Sequence, residues 1–284
     1  MFVRSMDSEI DKRIKEHGYG NDLYHYTSIP VVYSILKNRE FWFGNTATMN
    51  DSSEVKYFVE QLKNELEKNI PPEKRIECDE LFSKALRNIE KEYPYAMCFS
   101  KLEDDAAQWE RYADDAKGVC IVFNTKNIMK IFYNANFLFN DVYYDYDIKK
   151  HRHYTILHEY FTHGNWNSIS SKDGQLENII ACAYLHKHRS FRSEQEIRVV
   201  NLWGKIPDNA EAKTECIGGV IKKVMKLNVS KCCKDAGLLF EDLFDGIIIG
   251  PRSHQDVKSL QAFVEEEKLL KLKDKISKSD CPLQ

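Results

Sequence analysis

The sequence predicts one mixed α+β domain, and three observations lead there. Val119–Cys120–Ile121–Val122–Phe123 is a near-continuous apolar run of strand length, which suits a strand covered on both faces. Ile29, Val32, Tyr33 and Leu36 recur at helical spacing, so helices with one buried face lie between such strands. No internal repeat, low-complexity block or interdomain linker divides the chain. A single α+β body accounts for all three.

Each element follows from local signals. Residues 7–17 read as a short polar helix with Asp7 or Ser8 as N-cap, ended by Gly18 and Gly20. Leu23–Tyr26 is a short strand. Ser28 caps a helix over 29–37, with Pro30 in its first turn. Glu40–Phe43 is an aromatic strand, and a polar loop ends in Met49–Asn50–Asp51. Helices follow over 52–69 and, after Pro71–Pro72, to about residue 92. Tyr95–Ser100 is a strand, and Asp104 and Asp105 cap a helix carrying Trp109 and Tyr112. Residues 124–135 are helical, 137–146 a strand, 149–163 a His-rich helix and 175–188 another helix. The loop around Pro207–Ala212 reads as insertion material. A strand over 220–229, a helix over 230–239, a buried strand Phe244–Ile249 and a helix over 254–267 complete the pattern. The organisation is thus a helical extension over 1–21, one α+β domain over 22–267, and a flexible basic tail over 268–284.

Bulk properties exclude several classes. A hydrophobic content of 43% over 284 residues supplies a real core. The net charge of -3 leaves no overall nucleic-acid footprint. None of the 8 cysteines forms a C-x-x-C pair, so neither a zinc knuckle nor a disulfide frame is indicated. With no secretory signal and no apolar span, a cytoplasmic protein with reduced thiols and no membrane contact is expected.

The stretch Phe191–Val200 carries the densest candidate chemistry. Read as a strand, it places Glu194, Glu196 and Arg198 on one face. Two adjacent carboxylates repel unless something uses them, or unless Arg198 neutralises them on a solvated face. His25 lies between Tyr24 and Tyr26; it is either a hydrogen-bonded core histidine or a ligand group. His151, His153, His158 and His163 draw attention as metal ligands. His158 and His163 are five residues apart, about 140° around a helix at ~100° per residue, so no metal is expected there. His186-x-His188 is equally weak. Trp109 and Tyr112, three apart, could face the core together or line a cleft, with the core expected, and Arg252 could meet an anion at the next helix start.

Several stretches in order resemble the family called domain of unknown function 2971. They are Leu23-Tyr-His-Tyr-Thr-Ser, Met49-Asn-Asp-Ser-Ser-Glu, Cys98-Phe-Ser, Gln108-Trp-Glu-Arg-Tyr-Ala with Lys117-Gly-Val-Cys-Ile-Val-Phe, Phe191-Arg-Ser-Glu-Gln-Glu-Ile-Arg and Ile247-Ile-Ile-Gly-Pro. The resemblance spans about residues 22–265; Ser52 stands where the family usually has proline. The opening also resembles ADP-ribosyltransferase-like proteins, with His25 in the first-strand position, Ser100 in the middle and Glu194-x-Glu196 in the last. That resemblance implies mixed or antiparallel sheets around a cleft with flanking helices. It implies an NAD-consuming ADP-ribosyltransferase or NAD glycohydrolase, with NAD as substrate, no metal, and an unknown protein or nucleic-acid acceptor. Glu196 would stabilise the oxocarbenium and Glu194 would serve the acceptor. His25 would hold the ribose, Tyr24 or Tyr26 would stack on nicotinamide, and Ser100 and Arg198 would complete the NAD site. A role as a bacterial toxin or in phage defence would follow. The alternative is a catalytically inert nucleotide- or protein-binding module of the same fold.

Overall fold

A computed structural model describes residues 2–46, 52–91, 94–144, 149, 152–164, 172–201, 206–217 and 219–283. The expected loop ending in Met49–Asn50–Asp51 lies outside the described residues, as does His151. Ten strands are β1 Asp22–Thr27, β2 Glu40–Asn45, β3 Tyr95–Ser100, β4 Val119–Asn124, β5 Leu138–Asp141, β6 Glu196–Asn201, β7 Ala210–Ile217, β8 Val220–Asn228, β9 Phe244–Ile249 and β10 Ile276–Lys278. They form a mixed open sheet in the order β10-β9-β4-β1-β3-β2-β8-β7, with β6 also on β3 and β5 on β6. Only β9–β10 is parallel among the named strand pairs.

The sheet is organised around β3. Along its whole length β3 pairs antiparallel with β6, from Tyr95↔Asn201 to Ser100↔Glu196. On its other edge it is shared. β1 meets it at Tyr24↔Ser100 alone, and β2 meets it at Gly44↔Ala96 and Asn45↔Tyr95. Between those contacts β1 and β2 both part from β3, and a cleft opens in the middle of the sheet.

Helices cover the sheet on both faces. α1 Phe2–His17, α2 Ile29–Asn38, α6 Thr125–Asn134, α9 Val229–Ala236 and α10 Val257–Glu266 bury their apolar stripes in the main core. β4 is buried at five of six positions, as its apolar run requires. α5 Ala106–Tyr112 packs Trp109 on the opposite side with Tyr24, Tyr26, Cys120 and Val122. Its N-cap is Asp105, whose side chain accepts from Gln108 N at 3.0 Å. A separate cluster joins α3 Ser52–Asn69, α4 Arg75–Lys91, α7 Arg152–His163 and α8 Lys172–Tyr184.

Several expectations are corrected. α1 starts at Phe2 rather than residue 7, and Ile10 is buried in the main core, so this segment is docked rather than appended. Ser28 has extended N-cap geometry but makes no side-chain cap bond. Of the expected strand 137–146, β5 covers Leu138–Asp141 and Tyr143 makes an isolated bridge to His186, while residues 145 and 146 lie outside the described residues. α8 stops at Tyr184. The stretch expected to be insertion material opens β7, which pairs with β8 over eight residues. The expected flexible tail carries α11 Leu270–Lys273 and β10. Leu272 and Ile276 are buried, Ser279 N donates to Ile249 O at 2.9 Å, and Asp280 N donates to Asp104 at 2.9 Å. Apolar residues spaced through a basic segment hold it to the sheet edge.

Candidate functional site

The cleft where β1 and β2 part from β3 has a volume of about 370 Å³. Tyr24, His25, Tyr26, Ser100, Glu194, Glu196 and Arg198 all line it, so the residues singled out by the ADP-ribosyltransferase resemblance meet in one place. The manner of meeting differs from the expectation.

Glu194 is not on the strand. It ends a 3-10 helix over Arg189–Glu194, and Gln195 follows with a φ of 44°, in the left-handed region. The strand begins at Glu196. The turn aims both carboxylates at one cation, Lys187, whose Nζ lies 2.6 Å from Glu194 and 3.2 Å from Glu196. Nor is this a solvated face. Glu194 is 3% exposed, Glu196 7% and Arg198 2%, which overturns the surface charge ladder.

Each carboxylate oxygen has a partner. Glu194 Oε1 accepts from Arg111 Nη1 at 3.1 Å and from the Tyr112 hydroxyl at 2.8 Å. Its Oε2 is the atom held by Lys187. Glu196 Oε1 accepts from Arg198 Nε at 2.8 Å, and Arg198 Nη1 also donates to Tyr184 O at 2.8 Å. Burial raises the Glu196 carboxyl, but Arg198 and Lys187 overcome it and hold the group at about 2. Burial pushes the Tyr112 hydroxyl up, and its bond to Glu194 adds to that.

Ser100 organises the backbone beside them. Its Oγ donates to Glu194 O at 2.8 Å and accepts from Leu102 N at 3.1 Å. Gln108 Nε2 reaches the same Glu194 carbonyl at 3.3 Å. Ser100 therefore fixes the turn that presents Glu194.

His25 marks the parting of the strands. Its Nδ1 lies 2.8 Å from Cys98 O, a carbonyl on the β3 stretch that neither β1 nor β2 pairs. Being next to a carbonyl, Nδ1 carries the proton, which leaves Nε2 as an acceptor. Burial lowers the imidazole below its ordinary value, so the ring is neutral at pH 7; the Cys98 bond opposes that shift less strongly. Its ring sits 5.9 Å from Phe99 and 6.5 Å from Phe123. Tyr26 is anchored elsewhere: its hydroxyl donates to Leu102 O at 2.8 Å, and its ring meets Trp109 edge-on at 4.9 Å. Tyr24 also packs in that aromatic wall.

The site contains residues that the sequence reading missed. Tyr112 faces Glu194 while Trp109 is wholly buried, so the two do not share the core. Arg111 and Gln108 come with it on α5. Lys187 stood between two histidines weighed as metal ligands. His186 is stacked on Phe58 at 3.7 Å, and His188 accepts from Ser190 N at 3.2 Å. His158 lies 3.1 Å from Asn69 O, and His163 lies 2.8 Å from the Thr162 hydroxyl. Among the described residues no three His, Cys, Asp or Glu side chains gather as a metal site. Arg252 is paired with Asp115 at 2.7 Å.

The cleft is cationic although the chain is acidic. Lys187, Arg198, Lys222 and Lys223 line it against two carboxylates, while the whole chain has a net charge of -3. Lys222 and Lys223, from β8, make no ion pair with a described residue.

A family model described as "Protein of unknown function (DUF2971)" matches residues 108–199. The match covers 92 of the 284 residues, and the likeness is that of this stretch. The DUF2971 stretch opens on Gln108 and closes on β6, so its two ends are the segments that meet at Glu194. No curated protein and no solved structure gives a significant match. No helix among the described residues is long and apolar enough to cross a membrane.

Proposed function

We propose that the protein cleaves the nicotinamide–ribose bond of NAD, as an ADP-ribosyltransferase or NAD glycohydrolase. The observation that carries this reading is the convergence of His25, Ser100, Glu194 and Glu196, from three separate strands and a turn, on one cleft. In the reaction the bond from ribose C1′ to the pyridinium nitrogen breaks, and its electron pair neutralises the departing nicotinamide ring. The oxocarbenium carbon then takes an oxygen lone pair from water or an acceptor, which releases a proton. A fixed, ionised carboxylate stabilises that cation. Glu196 suits the task because Arg198 and Lys187 keep it ionised at any working pH. His25 Nε2 is available to accept from a ribose hydroxyl. The excess of lysines at the rim favours an anionic ligand such as a dinucleotide.

A second reading has its own observation. Both carboxylates are clasped by cations of this chain, which suits an inert nucleotide-binding module. Nicotinamide release from NAD separates the two, measured on wild type and Glu196→Gln with thermal melts alongside. The enzyme reading expects release by wild type and a loss on the order of a hundredfold or more in the variant. Full activity in a folded Glu196→Gln protein ends the proposed role of Glu196. A wild type that binds ADP-ribose yet releases no nicotinamide favours the module.

A further inference from the structure

We infer that the outer edge of β7 is a docking surface for a second copy of this chain, joined antiparallel with Thr214 on the two-fold axis. Among the described residues the sheet has three strand edges without a further strand. β10 has three residues, β5 has four, and β7 has eight. Shortness protects the first two, and proline, a bulge or edge charges protect a longer edge. β7 has no proline or bulge, and its charges, Glu211, Lys213 and Glu215, alternate in sign. Its sequence Ala210–Glu–Ala–Lys–Thr–Glu–Cys–Ile217 lacks proline, and it pairs with β8 without a register shift from Ala210↔Leu227 to Ile217↔Val220. Glu211, Ala212, Lys213, Thr214 and Cys216 are exposed.

The hairpin fixes which backbone groups are free. Ile217 and Val220 flank a two-residue connection, so they form a hydrogen-bonded pair. By alternation the even-numbered residues 210, 212, 214 and 216 point their N–H and C=O groups away from β8. Ala210 agrees, since its N–H donates to Pro207 O at 2.9 Å rather than to β8. A second β7 continuing the same sheet must place even residues opposite even residues.

Only two such registers overlap seven residues, and charge chooses between them. Centred on Lys213, the pairing sets Lys213 against its own copy and Glu211 against Glu215 twice. Centred on Thr214, it sets Lys213 against the second copy's Glu215 twice, and Thr214 against Thr214. Like charges directly opposite destabilise a pair, whereas opposite charges and Thr–Thr pairs stabilise it. Within one copy Lys213 already touches Glu211 at 2.5 Å, and Glu215 is paired with Lys226. The Thr214 register therefore extends an existing charge row. On the other face it brings Cys216 against the second copy's Ala212, beside Ile221, which is 75% exposed in the single chain. Glu211 of the second copy then stands opposite Ile217, which lines the cleft, so the partner borders the site.

Sedimentation analysis across concentration tests this with four proteins and one mixture. Wild type is expected to be a reversible dimer. Thr214→Pro removes only an outward N–H and is expected to be a folded monomer. Lys213→Glu and Glu215→Lys are each expected to dissociate at least tenfold more readily, and their equimolar mixture to recover the dimer, because each then meets its opposite. A monomeric wild type overturns the inference, as does a Thr214→Pro dimer or a mixture no tighter than the single variants. None of these outcomes depends on NAD chemistry.

Discussion

Replacing Lys187 with methionine is the sharpest test of how the site is held. Lys187 Nζ is the one described group that touches both Glu194 and Glu196, and its side chain is 8% exposed. Methionine keeps the stem and removes the charge. Two carboxylates, each under a tenth exposed, then keep Arg198, Arg111, Tyr112 and the Cys98 thiol as partners. Removing one partner from a buried ion pair costs about 3–5 kcal/mol. At roughly 2–4 °C per kcal/mol for a domain of this size, the melt falls by on the order of 10 °C at pH 7. The pH dependence has a definite sign. Glu196 is held at about 2 from an ordinary 4.5, a depression worth roughly 3 kcal/mol at about 1.4 kcal/mol per unit. That stability is fully present above pH 4.5 and is lost as pH falls toward 2. Without Lys187 the depression is smaller, so wild type and variant differ most above pH 5 and converge on acidification. Thermal melts of both proteins from pH 3 to 8 read this directly, and adding Glu194→Gln to the variant should recover part of the loss. A difference under about 2 °C at pH 7, or one that widens in acid, refutes the shared-cation account.

Three further outcomes are expected. Gly118→Ala places a methyl 2.1 Å from Thr27 O, a backbone atom that cannot yield cheaply, and should lower stability by about 3 kcal/mol or more in urea titration. Ending the chain after Lys275 removes β10 and uncovers the aromatic wall that Cys281 and Leu283 pack against, so hydrogen exchange at Tyr24 and Tyr26 should accelerate. Lys222→Glu with Lys223→Glu should weaken binding of ADP at least tenfold while leaving adenosine unchanged, as read by calorimetry at two salt concentrations.

Elements with a strong local signature were legible in the sequence. β4 announced itself because both faces are buried, and β1, β3 and β9 fell within a residue or two of their expected bounds. β7 did not, because neither of its faces is buried and its polar residues carry no inward signal. The adjacent Gly218–Gly219 dipeptide before an apolar start was the available hairpin cue. Candidate residues were found by their type, but their geometry was not. A left-handed Gln195 separates Glu194 from the strand, and a non-glycine residue with positive φ leaves no trace in composition. Arg111 reaches Glu194 from a distant helix, and Lys187 folds back onto it across the 3-10 turn, so only folding reveals the ion pairs.

The helical cluster has a kinetic consequence. α3 and α4 lie between β2 and β3, and α7 and α8 between β5 and β6, yet the four share one apolar centre. Pairing β3 with β6 joins Ser100 to Glu196 across a long stretch of chain, a slow encounter in an unstructured polymer. Helical hairpins form in place, and once the end of α4 meets the end of α8 the chain still to be closed shrinks to about 20 residues. By the logarithmic dependence on loop length this lowers the entropic barrier by roughly 1.5 kcal/mol, about a tenfold gain in encounter frequency. The cluster is thus a clamp that brings the strand bearing Cys98 and the strand bearing Glu196 into range of each other during folding.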